Sequence, residues 1–394
     1  MRLNKTILQI KPSGIREFFD IVSTMPDALS LGVGEPDFAT PWYIRDAAIK
    51  SIQKGYTAYT SNRGLKQLCE EISIYLDKRF GVSYDPKDEI IVTMGASEAI
   101  DLALRVLIEP GDGVLVPSPS YVSYMPITTL CGGRPIPVEC PESEEFRLTP
   151  AALEKAAAQG AKVLIMPYPN NPTGAVMSRK DIAALLPVVE KYDLAVISDE
   201  IYAELTYERK HVSVASVEGF RDRTVTINGF SKAFSMTGWR LGYTAAPHDV
   251  TAAMLKVHQY TALCAPTPSQ YAGAAALKDG RYDGYKAVEE MKEEYNRRRR
   301  FIVGELNSMG LKCHLPGGAF YVFANVSGTG MDGQQFARKL LASEKVAVVP
   351  GDAFGEAGKD HIRLSYATSL RTLMEASERI NRFIKREAQA NNKE

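Results

Sequence analysis

The chain has 394 residues, 45% hydrophobic and 24% charged, which is ordinary for a globular protein and long enough for two domains with a substantial core. Lys plus Arg and Asp plus Glu both number 47, so net charge offers no attraction to nucleic acid or an acidic membrane surface. The five cysteines (Cys69, Cys131, Cys140, Cys264 and Cys313) include no C-x-x-C pair, which argues against a disulfide framework or a structural metal and predicts a reducing compartment.

Met1-Arg2-Leu3-Asn4-Lys5 opens the chain without the apolar core of a signal peptide. No stretch reaches the roughly 18 apolar residues of a membrane span, so a cytoplasmic location and no membrane partner are expected. The first run that reads as a buried strand is Glu89–Thr93. Behind it Gly95-Ala96-Ser97-Glu98 leads into a predicted helix, Ala99–Leu107. Small residues there let backbone N–H groups approach an anion, and Ser97 adds a hydroxyl; an ordinary Ser cap is the competing reading.

Val114–Pro117 is the next predicted strand, followed by Ser118-Pro119-Ser120-Tyr121. Tyr121 could stack on a planar ring, although an aromatic at a strand end is more often plain core. The helical pattern Pro150–Ala158 precedes the strand Val163–Met166 and then Pro169-Asn170-Asn171-Pro172-Thr173-Gly174. That turn presents an amide side chain on a rigid backbone, with more turn formers than a tight reversal needs. Helix Arg179–Tyr192 and strand Leu194–Ser198 lead to Asp199-Glu200-Ile201-Tyr202. A carboxylate at the end of a central strand is costly unless it meets a cation or donors. A protonated pyridine nitrogen and a helix cap are equally good partners on this segment alone.

Strand Val225–Asn228 delivers the most informative run, Gly229-Phe230-Ser231-Lys232-Ala233-Phe234, with Arg240 eight residues beyond Lys232 and a further strand at Leu241–Ala245. An amine among small and apolar residues is desolvated and so becomes a nucleophile. A lysine able to form a Schiff base near a phosphate-holding arginine is what pyridoxal phosphate requires of a protein. Taken alone, the Ser-Lys pair is outweighed by the ordinary fate of a lysine at the surface.

The alternation of strands and helices predicts an α/β fold with a mostly parallel sheet buried on both faces. Ligands in such sheets sit at the carboxyl ends of strands, where these polar groups fall. A charged helix over 285–309 follows, and its run Arg297–Arg300 reads as a solvated face because acidic residues interleave it. Pro316–Phe323 and Val346–Pro350 read as strands of a second, smaller unit, closed by a helix from Leu370 to Arg386. His361-Ile362-Arg363-Leu364-Ser365-Tyr366 alternates with period two, and Arg363 could hold a carboxylate bidentately. A surface cation on an exposed sheet face is the favoured reading of that segment by itself.

These segments, in this order, resemble the class I and II aminotransferases among the fold-type I pyridoxal-phosphate enzymes. The likeness runs from Ser30-Leu31-Gly32-Val33-Gly34-Glu35-Pro36-Asp37-Phe38 to the Arg363 strand and is strongest toward the bacterial and archaeal aspartate, aromatic and N-acetyl-diaminopimelate aminotransferases. It implies a large domain with a seven-stranded sheet sandwiched by helices and a smaller α+β domain. The corresponding boundaries are 1–45 for an N-terminal arm with part of the small domain, 46–283 for the large cofactor-binding domain and 284–394 for the small domain.

The resemblance also implies roles. Lys232 would carry pyridoxal 5′-phosphate and then move the proton between the substrate Cα and the cofactor. Asp199 would pair with the ring nitrogen, Asn171 and Tyr202 would bind the phenolic oxygen, and Tyr121 would stack on the ring. Ala96, Ser97, Ser231 and Arg240 would hold the phosphate, and Tyr59 matches a tyrosine that reaches it from a partner subunit. Arg363 and Asn171 would bind the substrate α-carboxylate, with the Gly34 backbone closing over it. A homodimer with shared active sites follows, using an amino-acid donor and a 2-oxo acid acceptor, 2-oxoglutarate being expected. The second arginine that enzymes specialised for aspartate take from the partner would fall near Tyr260, where His258-Gln259-Tyr260-Thr261 offers none, leaving room for aromatic donors.

Three rivals stand beside this reading. A β-lyase or an aminocyclopropane-carboxylate-type synthase would use the same lysine, aspartate and arginine. A non-catalytic regulator would carry a fused DNA-binding segment, and with the likeness beginning at Ser30 no helix-turn-helix module is expected. A nicotinamide dehydrogenase would need a G-x-G-x-x-G run after its first strand, which the sequence lacks.

Overall fold

A computed structural model describes residues 1–10, 12, 25 and 27–391. A two-residue strand, β1 (Leu29–Ser30), comes first. The apolar runs then become β2 (Ile90–Thr93), β3 (Gly113–Ser118), β4 (Arg134–Glu139), β5 (Ala161–Met166), β6 (Ala195–Asp199), β7 (Thr224–Gly229) and β8 (Gly242–Ala245). They form one sheet in the order β2-β8-β7-β6-β5-β3-β4. The pairs from β7 across to β4 are parallel, and β8 runs antiparallel to both of its neighbours.

Period-two alternation sends side chains to two cores. Ile91, Val114, Val116, Val163, Ile165, Ile197, Val225 and Ile227 pack with Ala99, Leu102, Ala103 and Leu104 of helix Ala96–Leu107. Leu115, Leu164, Met166 and Val196 point the other way, onto Leu153, Ile182, Leu185 and Val189 from helices Pro150–Ala157 and Arg179–Lys191. Each fully buried side chain of this size contributes about 1.5–3 kcal/mol, so the sandwiched sheet is a rigid platform. The sequence reading missed the short β1 and, in the large sheet, β4, Arg134-Pro135-Ile136-Pro137-Val138-Glu139. Two prolines lacking an N–H confine it to the sheet edge, where only Ile136 and Val138 are buried.

Beyond the helix Lys286–Ser308 come β9 (Tyr321–Asn325), β10 (Val346–Ala347), β11 (Val349–Pro350) and β12 (His361–Ser365). The run expected as one strand over 346–350 divides at Val348: β10 pairs with β1, whereas β11 joins β12 and β9 in an antiparallel sheet of order β11-β12-β9. Phe320, Val322, Ile362 and Leu364 bury against Tyr295, Ile302, Leu306, Ile380 and Phe383. Every residue of β12 is buried, so the favoured reading of Arg363 as an exposed cation is corrected.

The reading of Arg297–Arg300 as a solvated face is also corrected in part, because Arg298 and Arg299 turn inward while Arg297 and Arg300 stay exposed. Arg298 reaches Asp37 at 2.9 and 2.8 Å, and Arg299 meets Glu208, the Pro316 carbonyl and the face of Tyr207. These buried charges are tolerated because each has a partner, and they tie the long helix to the loops beside it.

Candidate active site

Past the carboxyl ends of the parallel strands lies a cavity of about 320 Å³. Gly34, Ala96, Ser97, Tyr121, Asn171, Asp199, Tyr202, Ser231, Lys232, Arg240 and Arg363 all line it. Of the residues singled out by sequence, Tyr59 alone stands apart, 82% exposed on the surface.

Lys232 is set by the turn that follows β7. Phe230, Ala233 and Phe234 bury on either side of it, leaving its side chain to point into the cavity. Nζ donates to the Gly34 carbonyl at 2.6 Å and lies 5.9 and 5.7 Å from the rings of Tyr202 and Phe320. Burial pulls its pKa down to about 8; Arg363 and Arg240 push the same way, while Glu35 and Asp199 oppose them. Roughly a tenth of such amines are neutral at pH 7, far more than for a solvated lysine.

Asp199 ends β6 and is fully enclosed. Its Oδ2 accepts from the Tyr124 hydroxyl at 2.7 Å and its Oδ1 from the Ile201 N–H at 3.2 Å. The cap-like reading therefore accounts for one oxygen, in a turn, and leaves the other to Tyr124. Burial lifts its pKa to about 6 despite these hydrogen bonds. A cation held against it would recover that cost, and a protonated pyridine nitrogen is such a cation.

Arg363 is 2% exposed. Nη1 donates to Asn171 Oδ1 at 2.9 Å and Nη2 to the Gly32 carbonyl at 2.5 Å, while the guanidinium lies over Tyr321 and Phe354 at 4.4 and 4.8 Å. Its Nε has no partner, and among the described residues no carboxylate is within ion-pair distance. Burial depresses its pKa for want of an anion. The arrangement suits a small carboxylate arriving from solution.

The opposite end of the cavity is an anion cradle. Gly95, at φ 81°, turns the chain from β2 into helix Ala96–Leu107, and a Cβ there would lie 2.7 Å from Arg240 Nη2. Gly242 on β8 is equally constrained, since its Cβ would lie 2.6 Å from the Gly95 carbonyl carbon. Two glycines thus let a helix N-terminus and an arginine converge, the donor set that a phosphate needs. Ser97 is the second residue of the helix and not its cap; Glu98 reaches back instead, accepting from the Met94 N–H at 2.6 Å. A buried amine, an anion cradle and an enclosed carboxylate together fit pyridoxal 5′-phosphate.

Tyr124 and Tyr321 line the cavity but were not found in the sequence. The Tyr202 and Tyr321 hydroxyls are 2.9 Å apart, and a Cβ on Gly34 would lie 2.7 Å from the Tyr321 oxygen. Nothing in the strand pattern of residues 316–323 marks Tyr321, and Tyr124 differs from neighbouring core aromatics only in what it meets across the fold.

Comparison with known proteins gives one consistent result. The sequence profile described as "Aminotransferase class I and II" matches residues 26–380. The chain is 50% identical to the putative aminotransferase YugH of Bacillus subtilis, over 97% of this chain and 98% of that protein. It is 44% identical to an aspartate aminotransferase of Pyrococcus abyssi, over 98% and 99%. The crystal structure of an aromatic aminotransferase from Pyrococcus horikoshii superposes with a TM-score of 0.89 at 45% identity, covering 94% of this chain and 99% of that one.

Proposed function

The chain belongs to the class I and II aminotransferases, and from that premise we propose that it moves the amino group of an aromatic or aspartate-like L-amino acid to 2-oxoglutarate, as a cytoplasmic homodimer. Its fold is that of the fold-type I pyridoxal-phosphate transferases, and its family depends on that cofactor. The observation that carries the reading is Arg363: a buried cation without a carboxylate partner, in the same cavity as a desolvated lysine.

Ala96, Ser97, Ser231 and Arg240 would hold the phosphate, Tyr121 the ring face, Asn171 and Tyr202 the phenolic oxygen, and Asp199 the ring nitrogen. Bound there, the cofactor supplies an electron sink for charge left on the substrate Cα. Arg363, oriented by Asn171 and the Gly32 carbonyl, grips the α-carboxylate and so fixes which face of Cα meets the lysine. Lys232 Nζ, in its neutral fraction, would accept the Cα proton and pass it on to the cofactor, and would carry it the other way with the acceptor. Tyr124 keeps Asp199 oriented, and Asp199 in turn keeps its partner nitrogen protonated.

No arginine occupies positions 258–261 to pair with a distal carboxylate, which supports an aromatic donor. Titrating the visible spectrum of the cofactor-loaded protein with Tyr, Phe, Asp and Glu, without acceptor, tests this. Aromatic donors are expected to remove the visible band at the lowest concentrations. Arg363→Ala should weaken every donor about 100-fold, the scale of losing a charge-assisted bidentate contact. Release of ammonia and pyruvate with the band intact would instead identify a lyase, and unchanged affinities in Arg363→Ala would remove that residue from the site.

A further inference from the structure

Behind the anion cradle lies a histidine that plays no part in the chemistry above. His258, in the last turn of helix His248–Thr261, is 0% exposed. Its Nδ1 donates to Glu98 Oε1 at 2.8 Å, and its Nε2 is buried without a partner among the described residues. The contact with Glu98 is thus what fixes the orientation of the ring.

Glu98 connects the histidine to the cradle. It lies in the first turn of helix Ala96–Leu107, and its other oxygen accepts from the Met94 N–H at 2.6 Å. Both carboxylate oxygens are therefore held, which fixes the side chain in one orientation. The same turn is closed by Thr93 Oγ1 donating to the Gly95 carbonyl at 3.0 Å. Met94 immediately precedes Gly95, so a shift at its N–H re-aims the Gly95, Ala96 and Ser97 peptide groups together.

We propose that His258 is a positioning residue for the cofactor's phosphate: by holding Glu98 it fixes the Met94–Gly95 turn and so aims the Ala96 and Ser97 N–H groups. The inference rests on the cofactor reading given under the proposed function. It concerns affinity for the phosphate group and leaves Lys232, Asp199 and Arg363 untouched.

The test compares two ligands on cofactor-free protein, pyridoxal 5′-phosphate and pyridoxal, which lacks the phosphate, each titrated by visible absorbance. His258→Ala should weaken pyridoxal 5′-phosphate about tenfold, the worth of one charge-assisted hydrogen bond, and leave pyridoxal unchanged. His258→Asn, whose side-chain amide can donate from nearly the same place, should restore most of the loss. Glu98→Ala should reproduce the phosphate-selective effect and serves if His258→Ala fails to fold. Equal weakening of both ligands, or no weakening of either, in a folded variant overturns the positioning role. A wild-type protein that binds pyridoxal as tightly as its phosphate ester would overturn the cradle itself, a separate failure of the cofactor reading.

Discussion

At the scale of single residues, the cavity stores two titrating groups in states that water would not favour. Asp199 titrates near 6 where an ordinary aspartate titrates near 3.8, because burial disfavours its charge. The folded chain thus holds this proton more tightly than the unfolded chain, so stability is lost as pH rises from about 4 through 6. By about pH 7 the loss is nearly complete and amounts to about 3 kcal/mol. Lys232 behaves in the opposite sense: its depressed pKa of about 8 imposes a cost at neutral pH that is relieved only as pH rises above 8. Asp199→Asn removes the first effect. In cofactor-free protein, wild type should lose about 2 kcal/mol relative to Asp199→Asn between pH 4 and pH 7, read from denaturant midpoints at the two pH values. A stability difference that stays constant with pH would show that the carboxyl is not held in a raised state.

At the scale of elements, β8 matters because it runs against its neighbours and brings Gly242 onto the Gly95–Ala96 turn. Gly242→Ala must push the strand off the cradle or bend the turn. It should cost about 1–3 kcal/mol of stability by overpacking, together with affinity for pyridoxal 5′-phosphate. Gly238→Ala is the control, since a Cβ there meets nothing within 4 Å. If the two variants denature alike, the close approach of β8 is not what shapes the cradle. The same scale shows what the sequence could reveal. The central strands were legible because both faces of the sheet are buried, so their apolar runs are nearly unbroken, and the polar residues behind them fell into the cavity as a group. β4 was hidden by its prolines, and the run over 346–350 concealed a change of partner at Val348 that only the third dimension decides. Tyr124 and Tyr321 escaped for a related reason: they meet Asp199 and Tyr202 across 75 and 119 residues of chain, a proximity no local pattern encodes. Arg298 and Arg299 looked solvated because their acidic neighbours in sequence were visible, whereas Asp37 and Glu208, their partners in space, were not.

At the scale of the whole molecule, Tyr59 and Tyr260 are 82% and 86% exposed, and Asn62 Nδ2 binds the Leu263 carbonyl, joining the segments that carry them. Tyr59 on its loop and Tyr260 near the end of helix His248–Thr261 would suit the surface of the proposed assembly, a second copy with Tyr59 completing the neighbouring site. Mixing tests it: Tyr59→Ala and Lys232→Ala subunits, each poorly active alone, should regain about a quarter of wild-type activity after random reassociation, because every mixed dimer holds one complete site. No regain would mean that each chain builds its site alone. The central claim, that Lys232 carries the cofactor and moves the substrate proton, is tested most directly by the visible spectrum and turnover of Lys232→Ala beside wild type. Wild type loaded with pyridoxal 5′-phosphate should show the band of a lysine-linked cofactor and lose it on adding a donor amino acid. Lys232→Ala should lack that band and all turnover while keeping a wild-type circular dichroism spectrum, whereas transamination by the variant at a comparable rate would contradict the account.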